Sequence, residues 1–298
     1  MAGEFLDDMG LSRVWEKITD LNDWIPKNAG AHNSIYRGKN ITYKVTDESL
    51  YSDIYDGSFN DIFVGDYFDV AVKYVTGTQS TGGQTVSTAS AATRTRFRVM
   101  DIDRYLDRGN DSFGRHHIVV VPDYAVGTCL MDQHFSEANV PYANTEFQTL
   151  IRPALETSLT AAFGSHLLSK AYSLVTSLQG TTSGVLVSGG ANGAAYSSCK
   201  VVLLSELEVY GCYAVTSLGN TRYRYETGID YGQLAGFKFN SNLIKGKNSV
   251  GVLGTYWLRN SCAVDSTYTY YATVQSDGRP QAVNGASSCY IRPKILIG

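Results

Sequence analysis

The stretch Thr255-Tyr256-Trp257-Leu258-Arg259-Asn260-Ser261 decides the fold that we expect for the C-terminal part of this chain of 298 residues. Trp257 and Leu258 are large and apolar, so they predict an anchor in the core. Arg259 and Arg292 can each make bidentate hydrogen bonds that brace neighbouring loops. We therefore expect Trp257, Arg259 and Arg292 to hold the fold and not to contact a ligand.

The composition around this stretch excludes several classes of protein. The formal net charge is −3, which disfavours nucleic acid as a main partner because phosphate binding depends on clustered Lys and Arg. The longest apolar runs, residues 118–122 and 201–204, have the length of a strand and are far too short to span a membrane as a helix. The acidic N-terminus lacks the features of a signal peptide, which predicts folding in a reducing cytoplasm.

The five cysteines agree with a reducing compartment. Their number is odd, and the sequence contains neither a CxxC motif nor a Cys/His cluster. We therefore expect buried structural thiols, without a zinc site or a disulfide framework.

The body of the chain has a mixed pattern of predicted elements. Apolar spacing predicts helices over residues 46–55, 144–163 and 165–178. Residues 94–102 alternate like a strand, residues 116–121 predict a short apolar strand that ends at Pro122, and residues 201–210 begin as a strand. Residues 77–90 are Gly-, Ser-, Thr- and Gln-rich, which is typical of a mobile loop or a hairpin tip. The last hundred residues predict short strands and turns.

The first 30 residues form a separate unit in this interpretation, and residues 31–298 form the body. Apolar residues recur at spacings of three and four, as in the a/d seam of a coiled coil, and Pro26 ends the pattern. The segment is expected either to oligomerise or dock on another protein, or to pack on its own domain. The residues of the oligomerisation or docking hypothesis are Leu11, Val14, Trp15, Ile18, Leu21 and Ile25.

The sequence contains no nucleotide-binding, serine-hydrolase, zinc-protease or EF-hand motif. His116 and His117 are adjacent, and adjacent residues of a strand point to opposite faces. The pair is therefore not expected to bind one metal ion; one ring should pack inside and the other should face solvent. We expect no catalytic residues, no metal, no cofactor and no enzymatic activity.

The C-terminal stretches TYWLRNS (255–261), YATVQSDG (271–278) and YIRPKILI (290–297) resemble a module related to formylglycine-generating enzymes and C-type lectins. Five further motifs extend along the chain: GLSRVWEKI (10–18), HNSIYRGKNIT (32–42), FNDIFVGDYF (59–68), HHIVVVPD (116–123) and GSHLL (164–168). Together, these motifs resemble a group of phage structural proteins of Gram-positive gut bacteria.

This resemblance implies an α+β protein: a short N-terminal helix, then a mixed α/β body with a C-type-lectin-like fold, many short strands and long loops. Residues 250–298 would be its motif-bearing end. The calcium triplets of sugar-binding C-type lectins are missing, so calcium-dependent sugar binding is not expected. Cys262 and Cys289 are too far apart in sequence to match the catalytic pair of formylglycine-generating enzymes.

The resemblance also implies a virion protein without enzymatic activity, made in the bacterial cytoplasm. The leading hypothesis is a tail-associated adhesin that binds a glycan or protein of the host surface, and the N-terminal heptads favour a homotrimer. The alternative is a head fibre, capsid decoration or baseplate protein without receptor recognition. Tyr, Ser and Asn are typical of recognition surfaces. The candidate recognition residues are Tyr223, Tyr225, Tyr268, Tyr270, Tyr271, Arg279, Gln281 and Asn284.

Overall fold

A computed structural model describes residues 29–107, 113–133, 140–178, 187–188, 191–216, 232–264 and 269–298. The strands are β1 (Tyr67–Ser80), β2 (Gly83–Ile102), β3 (Ile118–Pro122), β4 (Gly127–Leu130), β5 (Leu167–Leu168), β6 (Lys170–Leu178), β7 (Val187–Ser188), β8 (Ala191–Cys199), β9 (Val201–Leu203), β10 (Tyr256–Val264), β11 (Thr269–Val274), β12 (Pro280–Asn284), β13 (Ser288–Ile291) and β14 (Pro293–Ile297). The α-helices are α1 (Ala29–Asn33), α2 (Thr42–Thr46), α3 (Ser49–Tyr55), α4 (Arg152–Phe163), α5 (Glu206–Tyr210) and α6 (Ala235–Phe239).

Twelve of these strands form one mixed sheet, in the order β12-β11-β10-β13-β4-β1-β2-β3-β14-β5, with β7 also on β10 and β9 also on β14. The pairs β1–β4 and β10–β13 are parallel, and the other pairs in this sheet are antiparallel. Strands β6 and β8 form a separate antiparallel ribbon. In this order the C-terminal strand β14 lies next to β3, which comes early in the described chain.

The strand β14 lies in the interior of the sheet. All five of its residues are buried, and it pairs with β3, β5 and β9. A strand that is buried on both faces has a continuous apolar run, as in residues 295–297. The C-terminal motif therefore completes the core of the whole body.

Residues 77–90 belong to the long hairpin of β1 and β2 and include its tip, so of the two alternatives, a mobile loop and a hairpin tip, the hairpin tip is confirmed. Cross-strand pairs continue to Ser80 and Gly83 at the tip. Residues 87–94 of β2 are exposed, and exposed strand positions tolerate Ser, Thr and Ala. The backbone hydrogen bonds of this segment come from the partner strand, which a composition-based prediction does not take into account.

The helix predicted over residues 165–178 is also wrong, since this segment forms β5 and β6. The strand predicted at the start of residues 201–210 is present as β9, and residues 206–210 form α5. The helix predicted over residues 144–163 is present as a π-turn at Phe147–Ile151 followed by α4, and it ends at Gly164. The predicted helix 46–55 begins at Ser49.

The predicted fold class is therefore wrong. Strands predominate over helices in the described residues, and the α-helices there have only five to twelve residues each. An α+β chain with a mixed α/β body of the C-type-lectin-like type does not describe this architecture. The predicted N-terminal helix, which Pro26 ends, lies outside the described residues. No helix within the described ranges is both long and apolar enough to cross a membrane.

Candidate recognition sites

The three residues expected to hold the fold are all buried. The indole Nε1 of Trp257 donates to the carbonyl of Cys129 at 2.9 Å. The guanidinium of Arg292 donates to the carbonyls of Pro122 at 2.7 Å and Leu243 at 2.6 Å. Arg292 thus joins the end of β3 to the loop that precedes β10. The guanidinium of Arg259 lies 4.0 Å from the carboxylate of Glu208.

Glu208 and Lys294 form the most strongly buried ion pair of the described chain, since neither side chain is exposed. Burial raises the pKa of Glu208, but the charges of Lys294 and Arg259 outweigh it and hold the pKa well below the ordinary value of a glutamate. The hydroxyl of Tyr105 also contacts both partners. Solvent does not reach this pair, which joins β14 to α5 inside the core.

His116 and His117 both lie beside Asp103. His117 is fully buried, where its Nδ1 lies 2.8 Å from the carbonyl of Arg115 and its Nε2 accepts from the N–H of Tyr105. Burial lowers the pKa of His117. The side chain of His116 is 39% exposed, and its Nδ1 lies 2.6 Å from a carboxylate oxygen of Asp103. Among the described residues, no group of three or more His, Cys, Asp or Glu could hold a metal ion.

The arginines of β2 are engaged with carboxylates. Arg94 and Arg96 contact Asp69, while Arg98 makes two hydrogen bonds to Asp123. These ion pairs reduce the positive charge that the strand presents to solvent.

The β11–β12 hairpin contains the sequence-predicted recognition residues that the structure describes, but it separates them. Tyr270 and Asn284 are direct cross-strand partners, so their side chains share one face. Gln281 pairs with Thr273 and lies on the other face. Arg279 follows the turn at Gly278 and donates to Asp277 at 2.6 Å. These side chains therefore do not form one continuous patch.

Tyr271 is not available for recognition, which corrects its assignment. It is completely buried, its hydroxyl donates to the carbonyl of Val140 at 2.6 Å, and its ring packs edge-on against Trp257. Five of the six residues of β11 are buried, and Tyr271 is one of them. Tyr223, Tyr225, Tyr268 and the six residues of the predicted N-terminal heptads lie outside the described residues.

A cavity of about 620 Å³ lies between α3 and two other parts of the chain, and we call it the Tyr51 cavity. The rings of Tyr51 and His166 stack in its wall, with centroids 3.7 Å apart and an angle of 10° between the ring planes. Tyr55 lies one helical turn after Tyr51 and is 76% exposed. The lining residues are Asp47, Glu48, Ser49, Tyr51, Ser52, Tyr55, Arg115, Ser165, His166 and Gly298.

The polar groups of the Tyr51 cavity are fixed by local structure. One carboxylate oxygen of Asp47 accepts from the N–H and the hydroxyl of Ser49, at 3.0 and 2.7 Å, and these bonds lower the pKa of Asp47. Glu48 has a left-handed backbone with φ 62°, which is unfavourable for a residue with a Cβ. Burial and the charge of Glu48 raise the pKa of Tyr51. Strained backbone and fixed polar groups are typical of binding sites.

Sequence reasoning missed this cavity. The predicted helix over residues 46–55 contains Tyr51 and Tyr55 at a spacing of four, which places both on one helix face. Nothing in the sequence relates this face to Arg115 or His166. These residues reach it because β14 pairs with both β3 and β5, which lie more than a hundred residues earlier in the chain.

Comparison with known proteins gives no relative: no family model, no curated protein and no solved structure matches this chain.

Proposed function

We propose that this chain is a non-enzymatic bacteriophage virion protein that binds a neutral saccharide of the host surface through the Tyr51 cavity. The observation that supports the proposal is a cavity whose lining combines the exposed Tyr55 with the acidic residues Asp47 and Glu48. A pyranose has an apolar C–H face, which packs on an aromatic ring, and a rim of hydroxyls, which donate to carboxylates. Both kinds of partner lie in this cavity.

The charge of the cavity favours a neutral ligand over an anionic one. Asp47 and Glu48 supply two negative charges, and Arg115 supplies one positive charge. Teichoic acids and other polyanions would meet like charges there. Arg115 supplies hydrogen-bond donors for ring and hydroxyl oxygens.

The placement in the virion is supported by the motifs that resemble phage structural proteins. A tail-associated homotrimer would present three cavities to one cell, so that weak individual binding would be multiplied by avidity.

Binding to cells of the phage's host tests the proposal. Fluorescently labelled full-length protein, tetramerised to give avidity, would sediment with host cells, and periodate oxidation of the cell-surface sugars would abolish the signal. We expect Tyr55→Ala to lower retention at least tenfold and Tyr55→Phe to preserve it, because the phenyl ring still stacks. Tyr196→Ala is the control, since Tyr196 is an exposed tyrosine outside the cavity lining. Retention that survives periodate would reject a saccharide.

Immunogold electron microscopy of phage particles tests the position in the virion. Gold at the tail end agrees with an adhesin. Gold over the head would replace this proposal with a head fibre or decoration protein.

A further inference from the structure

Two cysteines lie directly opposite each other in neighbouring antiparallel strands. Cys129 of β4 is the register partner of Cys289 of β13. Directly opposed residues project their side chains from the same face of a sheet. Both thiols are free and belong to the same hydrophobic core.

The spacing of opposed strand residues suits a disulfide. Opposed Cα atoms of antiparallel strands lie about 4.5–5.5 Å apart, and disulfides span Cα separations of about 4.4–6.8 Å. Opposed Cβ atoms need to approach by less than about 1 Å to reach the disulfide range. We propose that Cys129 and Cys289 are a dithiol that a small-molecule disulfide such as oxidised glutathione converts into a cross-strand disulfide.

The other three cysteines have different surroundings. The thiol of Cys262 is 3.8 Å from the hydroxyl of Thr216, and the thiol of Cys199 is 3.6 Å from the carbonyl of Ser197. Cys212 is exposed. In the strand pairings of the described residues, none of these three faces another cysteine. The proposal therefore predicts one specific link.

The reaction is a balanced thiol–disulfide exchange. The thiolate of Cys289 attacks one sulfur of oxidised glutathione, which forms a mixed disulfide and releases one glutathione. The thiolate of Cys129 then attacks the sulfur of Cys289 and releases the second glutathione. The two electrons and two protons lost by the protein thiols end on the two glutathione molecules.

Access and pKa make this exchange slow in the folded protein. Cys129 is fully buried and Cys289 is only 7% exposed. Burial raises the pKa of Cys289 to about 12, so that few molecules carry the reactive thiolate. The link therefore forms during folding or when β13 separates briefly from β4.

The link would join the two halves of the large sheet. Cys129 and Cys289 are 160 positions apart in the chain, and closing so long a loop restricts the unfolded state. A particle released from a reducing cytoplasm into an oxidising medium would gain stability from this disulfide. This benefit to a particle rests on the proposed function, whereas the formation of the disulfide does not.

The test uses the full chain with Cys212→Ser, which removes the exposed thiol that could link two copies. The protein is unfolded, refolded in a glutathione redox buffer and analysed by peptide mass spectrometry. We expect the loss of two hydrogen atoms in mass, one peptide pair joined through Cys129 and Cys289, and a higher urea midpoint than for the reduced protein. Cys199→Ser in the same background should still form the link, and Cys289→Ser should not.

Retention of all four remaining thiols after refolding with excess oxidant would overturn the proposal. A link through Cys199 or Cys262 would overturn it equally. Neither result depends on host cells or saccharides, so this inference and the proposed function can fail separately.

Discussion

Glu208 serves three neighbours at once in the core. One carboxylate oxygen contacts Lys294 and accepts from the hydroxyl of Tyr105 at 3.1 Å. The other accepts from the N–H of Ser205 at 2.8 Å and completes the capping box that begins α5. Burial of an ion costs several kcal/mol unless its partners compensate it. The side chain of Glu208 therefore links Lys294 of β14 to the N-terminal cap of α5.

Removal of the cation tests this coupling. We expect Lys294→Met to lower the free energy of unfolding by about 3–5 kcal/mol, because the carboxylate of Glu208 stays buried without its main partner. Urea unfolding followed by circular dichroism measures the change. Lys73→Met is the matched control, since the side chain of Lys73 is exposed, and it should change stability by less than about 0.5 kcal/mol. Adding Glu208→Gln to Lys294→Met should recover part of the loss; a strictly additive double variant would contradict the coupling.

Glu208 should also contribute to the loss of the free energy of unfolding at acid pH. The pKa of Glu208 in the folded protein is below the value of 4.5 expected for a free glutamate, so the unfolded state binds the proton more readily. Its contribution to stability is complete above about pH 4.5 and is lost as the pH falls toward the folded pKa. For Asp61, burial acts against ionisation, but hydrogen bonds from Lys39 and Arg37 outweigh it and lower the pKa to about 2.

We therefore expect the free energy of unfolding to fall steeply between pH 4.5 and pH 2. Glu208→Gln should flatten this fall, because glutamine does not titrate. Asp61→Asn should flatten it less, since Asp61 is partly exposed and its ion pairs are screened by water. Denaturant unfolding at a series of pH values gives both slopes, and an unchanged slope for Glu208→Gln would exclude it as the titrating group.

At the scale of the elements, β4 depends on the absence of a side chain at Gly127. A Cβ at this position would lie 2.4 Å from the carbonyl oxygen of Val75 in β1 and 2.8 Å from the side chain of Ile291 in β13. The first contact is with backbone, so a rotamer change cannot relieve it. Gly127 thus allows β1 and β13 to pack closely on both sides of one strand.

We expect Gly127→Ala to destabilise the protein by about 1–3 kcal/mol, as for other overpacked sites. Gly114→Ala is the control, because its Cβ would meet nothing within 4 Å. Thermal unfolding of the two variants is the measurement. Equal melting temperatures would mean that β4 can shift away from β1 without cost.

The elements also show where sequence-based prediction succeeds and fails. Strand β3 was predicted correctly from its apolar run, and the three fold-holding residues are buried as their types suggest. The segment of β6 was predicted as part of a helix from its apolar spacing, but a strand buried on both faces gives a similar pattern. The signal for α5 was present: Ser205 and Glu208 have the spacing of a capping box.

Sites that depend on long-range pairing were beyond the reach of the sequence. The recognition residues on β11 and β12 were close in sequence, yet Tyr271 is buried in the core and alternation separates Gln281 from Asn284. The Tyr51 cavity depends on Arg115 and His166, which reach α3 only through the pairing of β3 and β5 with β14. Local patterns do not contain this information.

At the scale of the whole molecule, one hydrophobic cluster extends from Ile41 to Ile297 and includes residues of nearly every strand of the large sheet. The strand β14 closes this cluster last in the chain, since it pairs with β3, β5 and β9. Residues 295–297 of β14 belong to this cluster. We therefore predict that the residues packed in this cluster unfold together.

Truncation of one side chain in β14 tests this cooperativity. Leu296 is buried and pairs with Val119 on one side and Leu168 on the other, so Leu296→Ala should lower the free energy of unfolding by about 2–5 kcal/mol. Val250→Ala, at a side chain that is 79% exposed, should change it by less than about 0.5 kcal/mol. Circular dichroism and the reactivity of Cys199 and Cys262 in reduced protein should report the same urea midpoint for Leu296→Ala, because both thiols lie in the cluster that β14 completes. If Cys199 became reactive at a lower urea concentration than the loss of circular dichroism, the ribbon of β6 and β8 would be opening on its own, and β14 would stabilise only part of the molecule.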